Sequence, residues 1–118
     1  MKLLLVTSRP EAWNECLPVL KNGGTLQEAA SLEEAKSAVR TEPPVLVILD
    51  LGLEGKPLRQ AVIDIMMIDA SVHTAVVSDM EPEAFHEATE GLGILMPLPS
   101  SPTAADAQRL LMTLAGVM

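Results

Sequence analysis

The sequence predicts an α/β fold in which a parallel β-sheet is covered by helices on both faces, and three observations support this. Five short apolar segments that suit strands alternate with five segments of helical periodicity. The run Val45–Leu49 is entirely apolar, too short for a lone helix, and typical of a strand buried on both faces. That run is followed by Asp50 and a glycine-containing loop. Ligands usually bind at the carboxyl ends of parallel strands, so Asp50 is the first candidate functional residue.

Composition indicates one globular domain over residues 1–118, with 48% hydrophobic residues. The formal net charge of −8 argues against direct binding of nucleic acid or an anionic membrane, because both need a basic surface. The single Cys16 cannot form an internal disulfide and suits a reducing compartment. No segment resembles a signal peptide or a membrane span, so a cytoplasmic location is expected.

Aromatic residues are nearly absent, since the chain has one tryptophan, one phenylalanine and no tyrosine. We therefore expect a core of Leu, Val, Ile, Met and Ala. The seven methionines could form an adaptable binding surface, but filling gaps in the core is the expected role.

In the first third of the chain, Lys2–Val6 is predicted to be a buried strand. Ser8-Arg9-Pro10-Glu11 has the S-x-x-E spacing of a capping box, which predicts a helix over Pro10–Lys21, bent at Pro18. A short strand is predicted over Thr25–Ala30.

The second predicted helix begins at another capping box, Ser31-Leu32-Glu33-Glu34, and ends before Pro43 and Pro44. The central strand follows. The third helix is predicted to begin at Pro57, and its buried face is Leu58, Ala61, Val62, Ile65 and Ile68.

The last third of the chain repeats the alternation twice. A strand is predicted over Thr74–Ser78 and a glutamate-rich helix from Pro82 to the glycines at 91 and 93. The strand Ile94–Leu98 contains Pro97, which cannot donate to a ladder, so this strand should lie at an edge. A final helix is predicted after Ser101-Pro102, with an inward face of Ala107, Leu110, Leu111 and Leu114.

Along essentially its whole length the chain resembles the receiver domain of bacterial two-component response regulators. Asp50 lies where that family has its phosphoacceptor, and Ser78 lies where it has a Ser or Thr at the end of the fourth strand. Further matches are Pro10, Leu51, Leu53, Gly55 and Pro99. The resemblance implies a flavodoxin-like, three-layer doubly wound sheet of five parallel strands in the order 2-1-3-4-5. It places the site at the switch point between strands one and three.

The departures from the family pattern fall on residues that the chemistry needs. The family's acidic pair after strand one is replaced by Thr7 and Ser8. Its lysine falls on Leu98, or on Met96 if the alignment is made through Pro97. Its aromatic switch residue falls on Leu95. The resemblance is therefore to a degenerate, pseudo-receiver type.

In the family, acidic residues hold Mg²⁺, and the lysine neutralises phosphoryl oxygen. Here Asp50 is the one clearly placed carboxylate, so it is only a weak Mg²⁺ candidate. The Gly52 carbonyl and the hydroxyls of Thr7 or Ser8 would be poor substitutes. Asp79 is either a replacement ligand or a polar residue near a helix start, and the second interpretation is favoured. No metal or other cofactor is expected unless the domain is phosphorylated.

Asp50 has two interpretations: a phosphoacceptor, or a retained carboxylate that accepts hydrogen bonds from its neighbours. The second is favoured. Ser78 is expected to hydrogen-bond Asp50, and Ser8 to act as a helix cap. His73, in a loop before strand four, and His86, on the acidic helix, lack partners at metal-ligand spacing. Cys16 is interpreted as a small buried residue.

The leading hypothesis is a non-enzymatic signalling domain of a two-component phosphorelay that acts as a phosphorylation-independent protein-interaction module. The alternative is a phospho-receiver that accepts a phosphoryl group on Asp50 from a histidine kinase. A nucleotide or flavin binder is disfavoured because loop 7–11 has no glycine, and a hydrolase because no G-x-S-x-G turn or Ser, His and acid set occurs. The expected partners are a histidine kinase, another signalling protein or a second copy of the chain. The expected partner face consists of Phe85, His86, Leu95, Met96, Pro97 and Pro99.

Overall fold

The structure is a computed structural model that describes all 118 residues, in which five parallel strands form one sheet. The strands are β1 (Lys2–Thr7), β2 (Thr25–Ala29), β3 (Leu46–Asp50), β4 (His73–Val77) and β5 (Met96–Leu98). The strand order is β2-β1-β3-β4-β5, which confirms the doubly wound, flavodoxin-like topology. Strand β5 is at an edge, as Pro97 requires.

Five α-helices and one 3₁₀ helix connect the strands. The helices are the 3₁₀ helix Pro10–Trp13, α1 (Leu17–Gly23), α2 (Leu32–Thr41), α3 (Gly55–Ile68), α4 (Pro82–Thr89) and α5 (Ala104–Ala115). No helix combines the length and the hydropathy needed to cross a bilayer.

The sheet separates two hydrophobic clusters because successive strand residues point to opposite faces. In β1, Leu4 and Val6 pack with α2 and α3, whereas Leu3 and Leu5 pack with α1 and α5. All five residues of β3 are buried, as its continuous apolar run predicts. The sheet is therefore covered on both faces.

The core composition differs from the expectation in one respect, because it contains no methionine. Its large side chains are Leu, Ile and Val together with Trp13. Met67 and Met112 are among the most exposed large apolar side chains, at 81% and 75%. Met66 and Met96 are half-buried and pack against the two clusters, but no methionine is fully buried, so the prediction that methionines fill gaps in the core is wrong for most of the seven.

The first helical segment also differs from the prediction. A single helix over Pro10–Lys21 is replaced by the 3₁₀ helix and α1, and Pro18 lies in the first turn of α1 instead of bending a longer helix. Ser8 is exposed, and Arg9 holds the N-cap position with no side-chain cap bond, so the predicted capping box is absent.

Other boundaries shift by a few residues. The Ser31 side chain accepts a hydrogen bond from the Glu34 amide, as predicted, but the Glu34 carboxylate accepts from Ala30 N. Helix α5 is capped by Thr103 and Asp106, a capping box that replaces the predicted start at Ser101-Pro102.

Candidate functional site

The site begins with two residues that the sheet register places side by side. Thr7 ends β1, Asp50 ends β3, and the two are paired across these parallel strands. Both lie at the carboxyl edge of the sheet, between the two strands where the strand order reverses. Both are nearly inaccessible to water, Thr7 at 4% exposure and Asp50 at 2%.

The Asp50 carboxylate accepts four hydrogen bonds. Oδ2 accepts one from Thr7 Oγ1 at 2.8 Å and one from Trp13 Nε1 at 2.7 Å. Oδ1 accepts two from the Arg9 guanidinium, from Nε at 3.2 Å and from Nη2 at 3.0 Å. An ionised carboxylate has about four acceptor sites, so the hydrogen-bonding capacity of Asp50 is filled.

Arg9 provides the positive charge that balances this buried carboxylate. Its side chain is 36% exposed, so the guanidinium lies at the boundary between the site and solvent. The backbone amide of Arg9 donates to Thr7 Oγ1 at 3.0 Å, and that hydroxyl in turn donates to Asp50. Thr7 thus fixes both the carboxylate and the loop from which Arg9 reaches it.

Trp13 contributes the second buried donor. The 3₁₀ helix places its indole in the cluster under α1 and α5, where the residue is 1% exposed. An indole N–H needs an acceptor when it is buried, and Asp50 is that acceptor. One hydrogen bond, from Trp13 Nε1 to Asp50 Oδ2, therefore gives both the buried indole N–H and the buried carboxylate a partner.

The other residues predicted near Asp50 are not among its partners. Ser8 is exposed, and Gly52 is exposed in a left-handed turn with φ of +69°. Leu98 is 1% exposed and packs in the same cluster as Trp13, so an apolar core residue stands where the resemblance would place a lysine.

The predicted hydrogen bond between Ser78 and Asp50 is absent. Ser78 Oγ instead donates to Glu54 Oε2 at 2.9 Å and accepts from Met80 N at 3.2 Å. Asp79 is exposed and accepts from Ser100 N at 3.2 Å, which links the loops after β4 and β5. The polar groups that follow β4 therefore bond to partners other than Asp50.

The residues of the predicted partner face differ in accessibility. His86, Pro97 and Pro99 are exposed, and the remaining three are half-buried against the core: Phe85, Leu95 and Met96. The solvent-facing part of α4 is strongly acidic, with exposed Glu83 and Glu87 between Glu81 and Glu90.

Three further residues were singled out from the sequence. His73 is the first residue of β4 and not part of a loop, and His86 is on α4 as predicted. Cys16 is buried, and its Sγ donates to Thr103 O at 3.3 Å. Burial, followed by the nearby carboxylates of Asp106 and Glu15, raises the pKa of the Cys16 thiol to about 11.

Sequence reasoning missed the Asp50 partners Arg9 and Trp13. Each was assigned a local role, Arg9 within a capping box and Trp13 as a scarce aromatic. The available signal was that Arg9 and the single tryptophan of the chain, Trp13, come shortly after β1, while the candidate site lacked any cation.

The donor set at Asp50 does not suit a metal ion. Mg²⁺ is bound by oxygen ligands, usually with one or two carboxylates. The atoms around Asp50 are a guanidinium, an indole N–H and a hydroxyl that already donates to the carboxylate. No group of three His, Cys, Asp or Glu side chains in the chain is arranged to hold a metal ion.

Solved structures that superpose on the chain include several response regulators. One is a LuxR-family two-component response regulator from Aurantimonas sp. SI85-9A1, at 23% identity and TM-score 0.75, covering 98% of this chain and 85% of that one. A response regulator from Desulfuromonas acetoxidans gives a TM-score of 0.81 at 12% identity, covering 99% and 98%. The N-terminal domain of a response regulator/sensory box/GGDEF three-domain protein from Carboxydothermus hydrogenoformans covers 100% of both chains at 22% identity and TM-score 0.76.

At these identities the superpositions establish a receiver-type fold and nothing further about activity. No protein-family model matches the chain. No curated protein matches it in sequence either.

Proposed function

We propose that this chain is a receiver-like signalling domain that acts by binding other proteins and does not accept a phosphoryl group on Asp50. The fold supports the first half of the proposal, because the superposed structures are receivers of response regulators. The observation that supports the second half is the filled hydrogen-bonding shell of Asp50.

A carboxylate that attacks a phosphoryl group needs a free, accessible oxygen. Asp50 Oδ2 is bonded to two buried donors, and Oδ1 is covered by the Arg9 guanidinium. Phosphorylation would add negative charge and bulk, and at least one of these bonds would have to break first. Asp50 is therefore proposed to be a structural residue that joins β1, β3 and the 3₁₀ helix.

The proposal does not include Mg²⁺. A divalent cation on Oδ1 would have to displace Arg9, and only one carboxylate would then hold it. The guanidinium already supplies the positive charge that the buried carboxylate requires. With Leu98 in the core, no lysine is available there to neutralise a phosphoryl oxygen.

The proposed docking surface is the exposed side of α4 together with Pro97 and Pro99. The segment Glu81–Glu90 contains four exposed glutamates and neither lysine nor arginine. Such a surface favours partners with a basic patch, chiefly by accelerating encounter. Partners are therefore proposed to be signalling proteins that present Lys or Arg to this helix.

The test is intact-mass measurement after incubation with Mg²⁺ and a small acyl-phosphate donor. Wild type and Asp50→Asn are expected to remain unmodified, and a functional receiver treated in parallel serves as the positive control. Addition of one phosphoryl group to the wild type, but not to Asp50→Asn, would contradict the proposal and favour a phospho-receiver.

A further inference from the structure

Helix α4 is short and has little buried surface of its own. Of its residues only Thr89 is buried, and Phe85 is half-buried against the core. An isolated helix of eight residues is not stable in water, so α4 depends on tertiary contacts. Its neighbour is α3.

One contact holds the C-terminal end of α4. The last carbonyl groups of a helix have no partners within it. Arg59, on α3, donates from Nη1 to Glu90 O at 2.8 Å and to Ala88 O at 3.3 Å. A cation at this end also interacts favourably with the helix dipole.

A second contact fixes the segment that leads into α4. Glu54, at the N-cap position of α3, accepts from Ser78 Oγ, and Ser78 Oγ accepts from the amide of Met80. Met80 lies two residues before α4 begins at Pro82. Both ends of α4 are thus tied by polar contacts to the first part of α3.

We infer that α4 is a separately opening element, held closed by the Arg59 and Glu54 contacts and independent of the state of Asp50. Ser78 connects to Glu54 and not to Asp50, so no hydrogen bond of Ser78 relays the state of the site to α4. A partner that competes for these contacts therefore releases α4 without any chemistry at Asp50.

Hydrogen exchange measured by mass spectrometry on peptides that cover residues 82–90 tests this inference. Arg59→Gln should accelerate exchange in this segment by roughly tenfold, because losing a charge-assisted hydrogen bond shifts an equilibrium by about that factor. Peptides from β1 and β3 should exchange as in the wild type. Arg59→Lys, which keeps the charge but shortens the side chain and removes the planar guanidinium, should give an intermediate rate.

Glu54→Ala is a second variant that acts at the other end of the helix, and it should also accelerate exchange in residues 82–90. Lys56→Gln is the matched control. Lys56 lines the same groove between α3 and α4, beside Glu87 and Glu90, but makes no hydrogen bond or ion pair. Its loss should leave exchange in α4 unchanged.

Asp50→Asn tests whether the opening of α4 is independent of Asp50. This variant should change the hydrogen-exchange rates of β1 and β3 peptides and leave the rate in α4 unchanged. The inference is overturned if α4 exchanges at the wild-type rate in both Arg59→Gln and Glu54→Ala. It is also overturned if α4 exchanges only together with the core, or if Asp50→Asn opens α4 as Arg59→Gln does.

Discussion

Replacing Arg9 by methionine should destabilise the fold substantially. Methionine keeps much of the apolar stem and removes the guanidinium, so Asp50 Oδ1 loses both of its hydrogen bonds. Asp50 itself remains 2% exposed in the folded state, with its charge no longer balanced. The variant therefore isolates the role of the cation.

The magnitude follows from the burial of the two partners. Breaking a fully buried ion pair costs about 3–5 kcal/mol, and a hydrogen bond to a charged group contributes about 1.5–3 kcal/mol. Because the Arg9 side chain is 36% exposed, water can reach part of the vacated space. We therefore expect the free energy of unfolding to fall by about 2–3 kcal/mol.

Urea unfolding followed by circular dichroism is a suitable assay. With a slope of about 2 kcal/mol/M, the midpoint should fall by roughly 1–1.5 M. Arg109→Met is the control, since Arg109 pairs with Asp106 at 2.7 Å but is 63% exposed. That exposed pair should contribute less than about 1 kcal/mol.

A double-mutant cycle with Asp50→Asn separates the pairwise contact from other effects. The two substitutions should be less destabilising together than the sum of their separate effects, by about 1 kcal/mol or more. The reasoning is refuted if Arg9→Met unfolds at the same urea concentration as Arg109→Met, or if the cycle gives no coupling.

Three further predictions concern other contacts. Trp13→Phe removes the indole donor to Asp50 Oδ2 and should lower the free energy of unfolding by about 1–3 kcal/mol, whereas urea midpoints equal to wild type would contradict this. Ser31→Ala removes the cap of α2 and should lower the free energy of unfolding by about 1 kcal/mol in the same assay; a Ser31→Asp variant, which keeps an acceptor, should unfold close to the wild type. The folded-state pKa of Cys16 is about 11 and exceeds its ordinary value of 9.0, so folding favours the neutral thiol. The contribution of this thiol to the free energy of unfolding is therefore complete below pH 9 and is lost as pH rises towards 11. Between pH 9 and pH 11 the free energy of unfolding should fall more steeply for the wild type than for Cys16→Ala. Parallel curves for the two proteins would refute the raised pKa of Cys16.

The layered architecture could be predicted from the sequence because each strand is specified locally. The continuous run before Asp50, the alternation of elements and Pro97 in the last strand were sufficient to predict a parallel sheet covered on both faces with β5 at its edge, whereas the strand order was implied by the resemblance to receiver domains. Element ends were less predictable. Ser8 has the spacing of a cap, but it does not cap a helix. Instead, the side chains of Arg9 and Trp13, in the segment after β1, hydrogen-bond to Asp50.

The candidate site was predicted only in part. Asp50 and Thr7 follow from strand ends, and in the structure the Thr7 hydroxyl donates to the Asp50 carboxylate. The partners Arg9 and Trp13 lie 41 and 37 residues from Asp50 in sequence, and no local pattern indicates that their side chains turn towards it. The same applies to Ser78, whose partner Glu54 could be identified only once the loops after β3 and β4 were placed.

The filled hydrogen-bonding shell of Asp50 can be tested most directly by NMR of the indole group. The chain contains one tryptophan, so a ¹H–¹⁵N spectrum has one indole signal, from Trp13 Nε1, which donates to Asp50 Oδ2. The measurement adds Mg²⁺ with beryllium trifluoride, a mimic of an aspartyl phosphate, to the wild-type protein. We expect the indole signal not to move, whereas a saturable shift that Asp50→Asn abolishes would show that the carboxylate is free to react.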